Sequence, residues 1–339
     1  MAIVKHLIAD TFGTHIGKYS GRLKITQKGT TLQQAPLMHL DAVHVISRGV
    51  SISSDALAAC CESGIPVHYL DERGTPYATV YSAGLVGTVL TRREQLRAYD
   101  DERGYHVAVM MATGKIQNQA NTLRYLARNR KDTPAGDELL LLAGEVADHL
   151  QSIEALPPQY VDDLRTPLMS IEAHAAKLYW EGTRHVVPED YGWKKRTGRG
   201  ATDPINSLLN YGYGILYGQT ERALTLAGLD PYAGFIHADR PGKPSLILDF
   251  IEEFRQVAVD RVVFGLAARQ FTVEQDGHGH MCVDTRRTFA EHILKHLESN
   301  VRYEGQRQPL RVVMQTQARR LVAYLRHECE AYTPFRAEV

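Results

Sequence analysis

The stretch SIEAHAAKLYWEG, residues 170–182, has the composition of a helix, yet it places a charged side chain where a core is expected. At about 100° per residue, Glu172 falls in the middle of the apolar face, while His174, Lys177 and Glu181 gather on the opposite side. Burying an unpaired carboxylate costs several kcal/mol or more. The sequence therefore predicts that Glu172 meets a cation, which is either a metal ion or the side chain of an Arg.

The periodicity changes along the chain and defines the fold class. Residues 1 to about 90 alternate over short segments punctuated by Gly, Asp and Pro, which indicates strands, with one helix at SSDALAACCESG, residues 53–64. From Thr91 onward the apolar period is helical. We expect an α+β protein in which a β-rich, β-sandwich-like domain (1–90) precedes a larger α-helical catalytic domain (91–339). One hairpin is expected at FTVEQDGHGHMCVD, residues 271–284, around its Asp-Gly pair.

The amino-acid composition limits the classes of function that the protein can have. With 44% hydrophobic and 23% charged residues the chain is typical of soluble globular proteins. Lys plus Arg and Asp plus Glu both number 39, so any nucleic-acid face has to be local. No signal-peptide core or membrane-spanning run is present, which predicts a cytoplasmic protein. The four cysteines lack C-x-x-C spacing, and adjacent cysteines such as Cys60 and Cys61 rarely bridge each other, so a disulfide framework is not expected.

A second acidic segment, SLILDFIEEFR, residues 245–255, reads as a helix that begins at Ser245 as N-cap. Helical periodicity puts Asp249, Glu252 and Glu253 on one face. His237 lies shortly before this segment, in a loop rich in Pro and Gly. Carboxylates with an imidazole are ligands typical of Mn²⁺ or Mg²⁺ sites, and the nitrogen favours Mn²⁺.

Less specific interpretations stay open for these residues. A carboxylate triplet on a helix is usually a solvated face, and a His after an aromatic residue is more often structural. The predicted hairpin also carries His278, His280 and Cys282, which could suggest zinc. Because a second ligand cluster at metal spacing is missing from the sequence, a polar hairpin tip is the preferred interpretation there.

Basic residues cluster in two segments despite the neutral total charge. One is the helix KIQNQANTLRYLARNRK, residues 115–131, and the other is the loop WKKRTGRG, residues 193–200, which precedes a helix with Asp203 as N-cap. Phosphate contact is a natural use of such segments, although an isolated basic helix is more commonly a solvated surface. The candidate DNA-binding residues are Lys115, Arg124, Arg128, Lys194, Lys195, Arg196 and Arg199.

Three motifs in this order resemble one known family. They are IEAHAAKLYW (171–180), GRGATDPINSLLNYGYGIL (198–216) and LDPYAGFIHADRPGKPSLILDFIEEFR (229–255). The chain resembles the CRISPR-associated integrase of spacer acquisition, the universal adaptation nuclease, over nearly its whole length.

The resemblance implies roles for individual residues. Glu172, His237 and Glu252 match the family's metal-binding and catalytic positions. Asp249 matches a further acidic position, either a direct ligand or a group that orients His237 or a metal-bound water. The implied metal is Mn²⁺ or Mg²⁺, and no nucleotide cofactor is needed because one phosphodiester replaces another.

The resemblance also implies a reaction and partners. The expected reaction is a transesterification in which a 3′-hydroxyl of captured DNA attacks a phosphodiester at the repeat boundary of a CRISPR array. Expected partners are double-stranded and branched DNA, a second copy bound through the N-terminal domain, and a small ferredoxin-like companion subunit. A hypothesis of a different class is a non-catalytic nucleic-acid-binding scaffold, in which the acidic cluster is structural and Glu172 pairs with an Arg.

Overall fold

The computed structural model describes residues 4–71, 74–81, 89–198 and 200–338. Its first part consists of short strands. They are β1 His6–Ala9, β2 His15–Tyr19, β3 Arg22–Gln27, β4 Thr30–Pro36, β5 Ala42–Val45, β6 Ser51–Ile52, β7 Val67–Leu70 and β8 Pro76–Val80. These form two four-stranded sheets with the orders β1-β5-β7-β8 and β4-β3-β2-β6.

The two sheets and one helix share a buried apolar cluster. Leu7 and Val43 come from one sheet, Ile16 and Leu23 from the other, and Cys60 from helix α1, Ser54–Glu62. Inward-facing side chains of two sheets that meet in one cluster are the arrangement of a sandwich. The predicted β-rich, sandwich-like N-terminal region is therefore confirmed.

The rest of the described chain is mainly helical. Its helices are α2 Val89–Ala98, α3 Glu102–Arg128, α4 Pro134–Glu154, α5 Val161–Arg184, α6 Pro204–Ala227, α7 Ser245–Phe250, α8 Arg261–Ala268, α9 Val283–Leu297 and α10 Leu310–Leu325. Helices α3, α4 and α5 pack side by side, and α6 packs against α7, α9 and α10. Asp203 caps α6 as predicted, because its side chain accepts a hydrogen bond from Asn206 N. Among the described residues, each helix is too short or too polar to cross a membrane.

The predicted hairpin at 271–284 forms only as a short antiparallel reversal around Asp276-Gly277, in which Asp276 N donates to His280 O and Cys282 N donates to Glu274 O. This segment forms a single bridge between Gln275 and Met281. The Asp276 carboxylate accepts hydrogen bonds from the backbone N–H groups of His278 and His280, so the segment closes on itself instead of forming a ladder.

A longer hairpin, which was not predicted from the sequence, forms further along the chain between β9, Asn300–Tyr303, and β10, Gln306–Pro309. Its two-residue turn is Glu304-Gly305, with φ values of 51° and 75°. A two-residue hairpin turn with positive φ at both positions is usually marked by Asn-Gly or Asp-Gly. Glutamate in the first position hid this turn from the sequence pattern.

The acidic segment 245–255 is not one regular helix. Helix α7 ends at Phe250, a 3₁₀ turn follows over Ile251–Glu253, and a π-helical turn over Gln256–Asp260 leads into α8. Ser245 is the first helical residue rather than the N-cap, which is Pro244. Because a 3₁₀ turn has about 3.0 residues per turn, side chains three residues apart, such as Asp249 and Glu252, stay on one face. Glu253 leaves the predicted common face and binds Tyr332 and Phe335.

Candidate metal centre

Glu172 points inward from α5, as the sequence predicts. Leu168, Ala175 and Tyr179 on the same face are fully buried, and Glu172 itself is 7% exposed. Its Oε2 lies 3.6 Å from Lys115 Nζ on α3. Its Oε1 is buried and has no hydrogen-bond partner among the described residues. Burial raises the pKa of Glu172, with Lys115 opposing that rise.

Lys115 joins Glu172 to Glu252. Its Nζ lies 3.1 Å from Glu252 Oε2, and its side chain is 16% exposed. Burial acts to lower the pKa of Lys115, but the two carboxylates outweigh it and the pKa is raised. Lys115 therefore does not share an exposed basic surface with Arg124 and Arg128, and the cation beside Glu172 is a Lys rather than an Arg.

Glu252 lies on the 3₁₀ turn and is 4% exposed. Arg255 Nη1, one turn later, is 3.2 Å from its Oε1. Burial acts to raise the pKa of Glu252, but Arg255 and Lys115 together bring it below its ordinary value. Glu172 shifts in the opposite direction because Lys115 is farther from it and it has no second ion-pair partner among the described residues.

His237 is fixed by Asp249, whose side chain is fully buried. The imidazole Nδ1 lies 2.7 Å from Asp249 Oδ1, which also accepts a hydrogen bond from His237 N at 2.9 Å. Asp249 Oδ2 accepts hydrogen bonds from the N–H groups of Phe235 and Ile236 at 2.6 and 2.9 Å. A carboxylate bound to Nδ1 leaves Nε2 as the ring nitrogen for a metal ion or substrate.

Two residues that the sequence did not single out hold the same loop. Arg165, on α5 with Glu172, donates from Nε to Ile236 O at 2.9 Å. Gln95 on α2 donates to Asp230 O and Ala233 O at 2.9 and 2.8 Å and accepts from Asp230 N. Neither residue carries a local sequence signal, because each role depends on a contact distant in sequence.

A polar network lies behind Glu252. Arg255 stacks over the Tyr213 ring at 4.9 Å, and Arg196 lies over the same ring at 5.4 Å. Tyr213 and Tyr179 both donate hydroxyl hydrogen bonds to Asp260, at 2.5 and 2.6 Å. This network ties the basic loop to the carboxylates.

The remaining basic candidates lie in different surroundings. Arg196 donates to Asn206 and Asn210, whereas Lys194 and Lys195 are exposed. Arg124 is half-buried and donates to an Asn side chain, and Arg128 is exposed at the end of α3. Arg199 lies outside the described residues.

The donor set fits a divalent ion by its chemistry. Two carboxylates and an oriented imidazole converge, since Glu172, Glu252 and His237 influence one another electrostatically. The orphaned, buried Glu172 Oε1 is an acceptor that lacks a donor. These three side chains are nevertheless more widely spaced than 4.8 Å. Within the described ranges that spacing is met by His6, Asp41 and Glu298.

That second group is an ion-pair cluster. Glu298 pairs with both Lys5 and Arg311, and Arg311 Nη2 lies 3.4 Å from Asp41 Oδ2. The acidic oxygens are thus already neutralised, which disfavours a further cation.

Comparison with known proteins identifies the family. The model of the family described as "CRISPR associated protein Cas1" matches residues 7–295. A CRISPR-associated endonuclease Cas1 of Archaeoglobus fulgidus is 36% identical over 335 residues, covering 95% of this chain and 96% of that protein. A CRISPR-associated endonuclease Cas1 of Korarchaeum cryptofilum is 30% identical over 342 residues, covering 97% of each.

Solved structures share the fold. A casposase bound to integration product has a TM-score of 0.84 at 20% identity, over 99% of this chain and 95% of that one. A Cas1 protein from Thermotoga maritima has a TM-score of 0.79 at 19% identity, over 98% and 100%.

The fold and these relatives define the class as the CRISPR-associated endonucleases. Within that class, the chain belongs to the Cas1 family. The predicted family, fold class and enzyme class are confirmed.

Proposed function

We propose that this protein is a metal-dependent DNA endonuclease and integrase that inserts new spacer DNA into a CRISPR array by phosphodiester transesterification. The observation that carries the proposal is the convergence of buried Glu172 and Glu252 with His237, whose imidazole Asp249 orients. A buried acceptor without a donor at Glu172 Oε1 fits a cation-binding role better than a purely structural one.

Glu172, Glu252 and His237 are the proposed ligands, and Asp249 is the proposed orienting residue. When bound, Mn²⁺ or Mg²⁺ would polarise the phosphoryl oxygen and stabilise the charge that develops in the transition state. The imidazole favours Mn²⁺ of the two.

The chain's own cations contribute separately. Lys115 and Arg255 lie beside the ligand carboxylates and limit the repulsion between Glu252 and an incoming phosphate. The contacts of Arg165 and Gln95 fix the loop that carries His237, so the imidazole is placed before substrate binds. Exposed cations supply charge for the DNA backbone, together with two half-buried arginines. These residues are Lys194, Lys195, Arg128, Arg124 and Arg196.

The proposed partners are double-stranded and branched DNA, a second copy bound through residues 1–90, and a small ferredoxin-like companion subunit. Residues 91–339 then form the catalytic domain. Two solved structures of the same fold support DNA and a companion subunit as partners. One is the casposase bound to integration product, and the other is a Cas6-RT-Cas1–Cas2 complex that this fold matches with a TM-score of 0.79 over 37% of the complex's chain.

Strand transfer with purified protein tests the proposal. A branched or short duplex DNA is incubated with a target containing the repeat boundary, with and without the companion subunit, in Mn²⁺, in Mg²⁺ and in EDTA. We expect products that depend on a divalent ion and disappear in EDTA. DNA binding of equal strength in all three conditions, without any transfer, would instead support the scaffold in which the Lys115 ion pairs are structural.

A further inference from the structure

A segment without regular secondary structure follows α10 and packs against α3 and the 3₁₀ turn that carries Glu252. This segment, residues 332–337, is called the strap below. Its backbone is paired by side chains of α3. Asn118 Nδ2 donates to Phe335 O at 2.9 Å, Ala337 N donates to Asn118 Oδ1 at 2.8 Å, and Asn121 Nδ2 donates to Ala337 O at 2.7 Å. The strap therefore lies on α3 in a fixed register.

The strap also binds Glu253, the neighbour of Glu252. Glu253 is fully buried, and the Tyr332 hydroxyl donates to its Oε1 at 2.5 Å while Phe335 N donates to its Oε2 at 2.7 Å. Within the described part of the chain no Lys or Arg pairs with it. Two of the hydrogen bonds that satisfy this buried carboxyl come from the strap, so the strap and the 3₁₀ turn are held together.

Helix α3, the 3₁₀ turn and the strap meet at Gly114. A Cβ at this position would lie 2.8 Å from Pro334 Cβ and 3.2 Å from Glu253 Cγ. Asn118, which binds the strap, also donates to Glu253 O at 2.8 Å. Lys115, which pairs with Glu252, lies between these two contact points on α3. The separation between Lys115 and Glu252 thus depends on how the strap is seated.

The Phe335 ring adds an apolar contact. It stacks on Phe254 with ring centroids 5.2 Å apart and an interplanar angle of 11°. Polar contacts to Glu253 and a ring contact to Phe254 fix the chain on the side of Glu252 that leads into the π-helical turn.

We infer that the strap positions Glu252 through Glu253, and that Tyr332 and Gly114 are positioning residues of the metal centre. This inference rests on the proposed function, since it assumes that Glu252 is a metal ligand. Supporting groups behind a ligand typically change metal affinity by about 10- to 100-fold when they are removed.

Mn²⁺ binding measured by titration calorimetry or electron paramagnetic resonance, beside Tm without metal, separates positioning from stability. Tyr332→Phe removes the hydroxyl that Glu253 accepts. The matched control is Tyr105→Phe, because Tyr105 is on α3 and its hydroxyl donates to Leu156 O at 2.8 Å, in a contact unrelated to Glu252. We expect Tyr332→Phe to weaken Mn²⁺ binding by about 10-fold. Tyr105→Phe should leave it unchanged.

Two further variants sharpen the test. Glu253→Gln can keep both contacts, because its amide oxygen accepts from Phe335 N and its NH2 group donates to the Tyr332 hydroxyl oxygen. Mn²⁺ affinity should therefore stay within about 3-fold of the wild type, below the range expected when a supporting group is removed. Gly114→Ala forces α3 and the strap apart and should resemble Tyr332→Phe.

The outcomes are distinct. Equal Mn²⁺ affinity in Tyr332→Phe and Tyr105→Phe, whatever their Tm, overturns the positioning role. A wild-type protein that binds Mn²⁺ but transfers no DNA strand counts against the proposed function, while the variants still decide the strap. A wild-type protein that binds no Mn²⁺ removes the strap proposal with the metal centre.

Discussion

The metal centre and the cluster of His6, Asp41 and Glu298 contain similar side chains in opposite electrostatic surroundings. In the metal centre, Glu172 and Glu252 form ion pairs with Lys115 and Arg255, and Asp249 is hydrogen-bonded to the imidazole of His237. In the other cluster, two carboxylates face Lys5 and Arg311. Burial first, and then Arg311, Arg222 and Lys5, lower the pKa of His6 to about 3.

The difference shows that ligand spacing alone does not identify a cation site. The second cluster is the tighter of the two, yet its acids are matched by cations and its imidazole lies in a positive field. The first is looser, but it has three carboxylates beside two Lys and Arg side chains, whereas the second has two of each. Buried carboxylate oxygens without a hydrogen-bond donor occur in both. Charge balance is therefore the better criterion.

The largest expected effect comes from replacing one carboxylate in each of the two clusters. Glu252→Gln should reduce strand transfer to the level seen in EDTA and weaken Mn²⁺ binding by more than the roughly 100-fold upper range of supporting contacts. The matched variant Glu298→Gln replaces an acid of the ion-pair cluster and should leave Mn²⁺ affinity unchanged. Titration calorimetry with Mn²⁺ and the strand-transfer assay measure both variants.

The reverse result is equally informative. If Glu298→Gln lost the metal and Glu252→Gln kept it, the cation site would lie at the tighter cluster, and spacing would outrank charge balance.

The second prediction separates ligand from orienting residue. Asp249→Asn keeps the shape of the side chain but weakens its bonds to Nδ1 of His237 and to three backbone N–H groups. Strand transfer should fall by about 10- to 100-fold. Since Asp249 binds the loop rather than an open position, Mn²⁺ should still bind. A complete loss of Mn²⁺ binding in Asp249→Asn, beside a silent Glu252→Gln, would exchange the two roles.

Sequence patterns predicted the inward Glu172 because one helix contains the whole signal. They did not predict its pairing with Lys115, since that contact joins α3 to α5, and the basic pattern around Lys115 suggested contact with DNA instead. The family resemblance implied that Asp249 could orient His237. The roles of Gln95 and Arg165 depend on tertiary contacts alone and had no such signal.

The assumption of a regular α-helix gave wrong side-chain positions where the backbone changes its helix type. The segment 245–255 changes from α-helix to 3₁₀ turn, so angles of about 100° per residue could not place Glu253 correctly. Glu253 binds the strap through contacts between residues about 80 positions apart in sequence. A local sequence pattern does not contain that information.

A smaller effect concerns the pH dependence of stability that the buried imidazoles near the ion-pair cluster cause. His44 Nε2 lies 3.3 Å from His6 Nδ1, and burial lowers the pKa of His44 to about 3, with His6 adding to it. In the unfolded chain both titrate near pH 6.5, so the unfolded state binds the protons first as pH falls. Stability should therefore be constant above about pH 6.5 and decrease toward pH 3, by up to about 1.4 kcal/mol per pH unit for each fully neutral His.

Urea unfolding at about pH 7.5, 6.5 and 5.5, on both sides of the unfolded-state pKa, measures this dependence. His44→Gln removes one titrating group and should reduce the loss of stability between pH 6.5 and 5.5 by about 1 kcal/mol relative to the wild type. Parallel pH profiles for the two proteins would show that the His44 imidazole is not held neutral.

The smallest effect concerns the exposed cations that neither cluster uses. Lys194 and Lys195 follow Trp193, which packs against Trp180 on α5, so the loop is anchored on the helix that carries Glu172. If each lysine binds one phosphate, Lys194→Gln or Lys195→Gln should flatten the slope of log K against log salt by roughly 0.7 to 0.9.

Lys177→Gln is the control, because Lys177 is exposed on α5 but on the face opposite Glu172. DNA affinity measured by fluorescence anisotropy from about 50 to 200 mM salt, the range over which phosphate binding weakens strongly, gives the slopes. A larger flattening with Lys177→Gln than with the loop variants would move the DNA path to the far side of α5, away from both carboxylates of the metal centre.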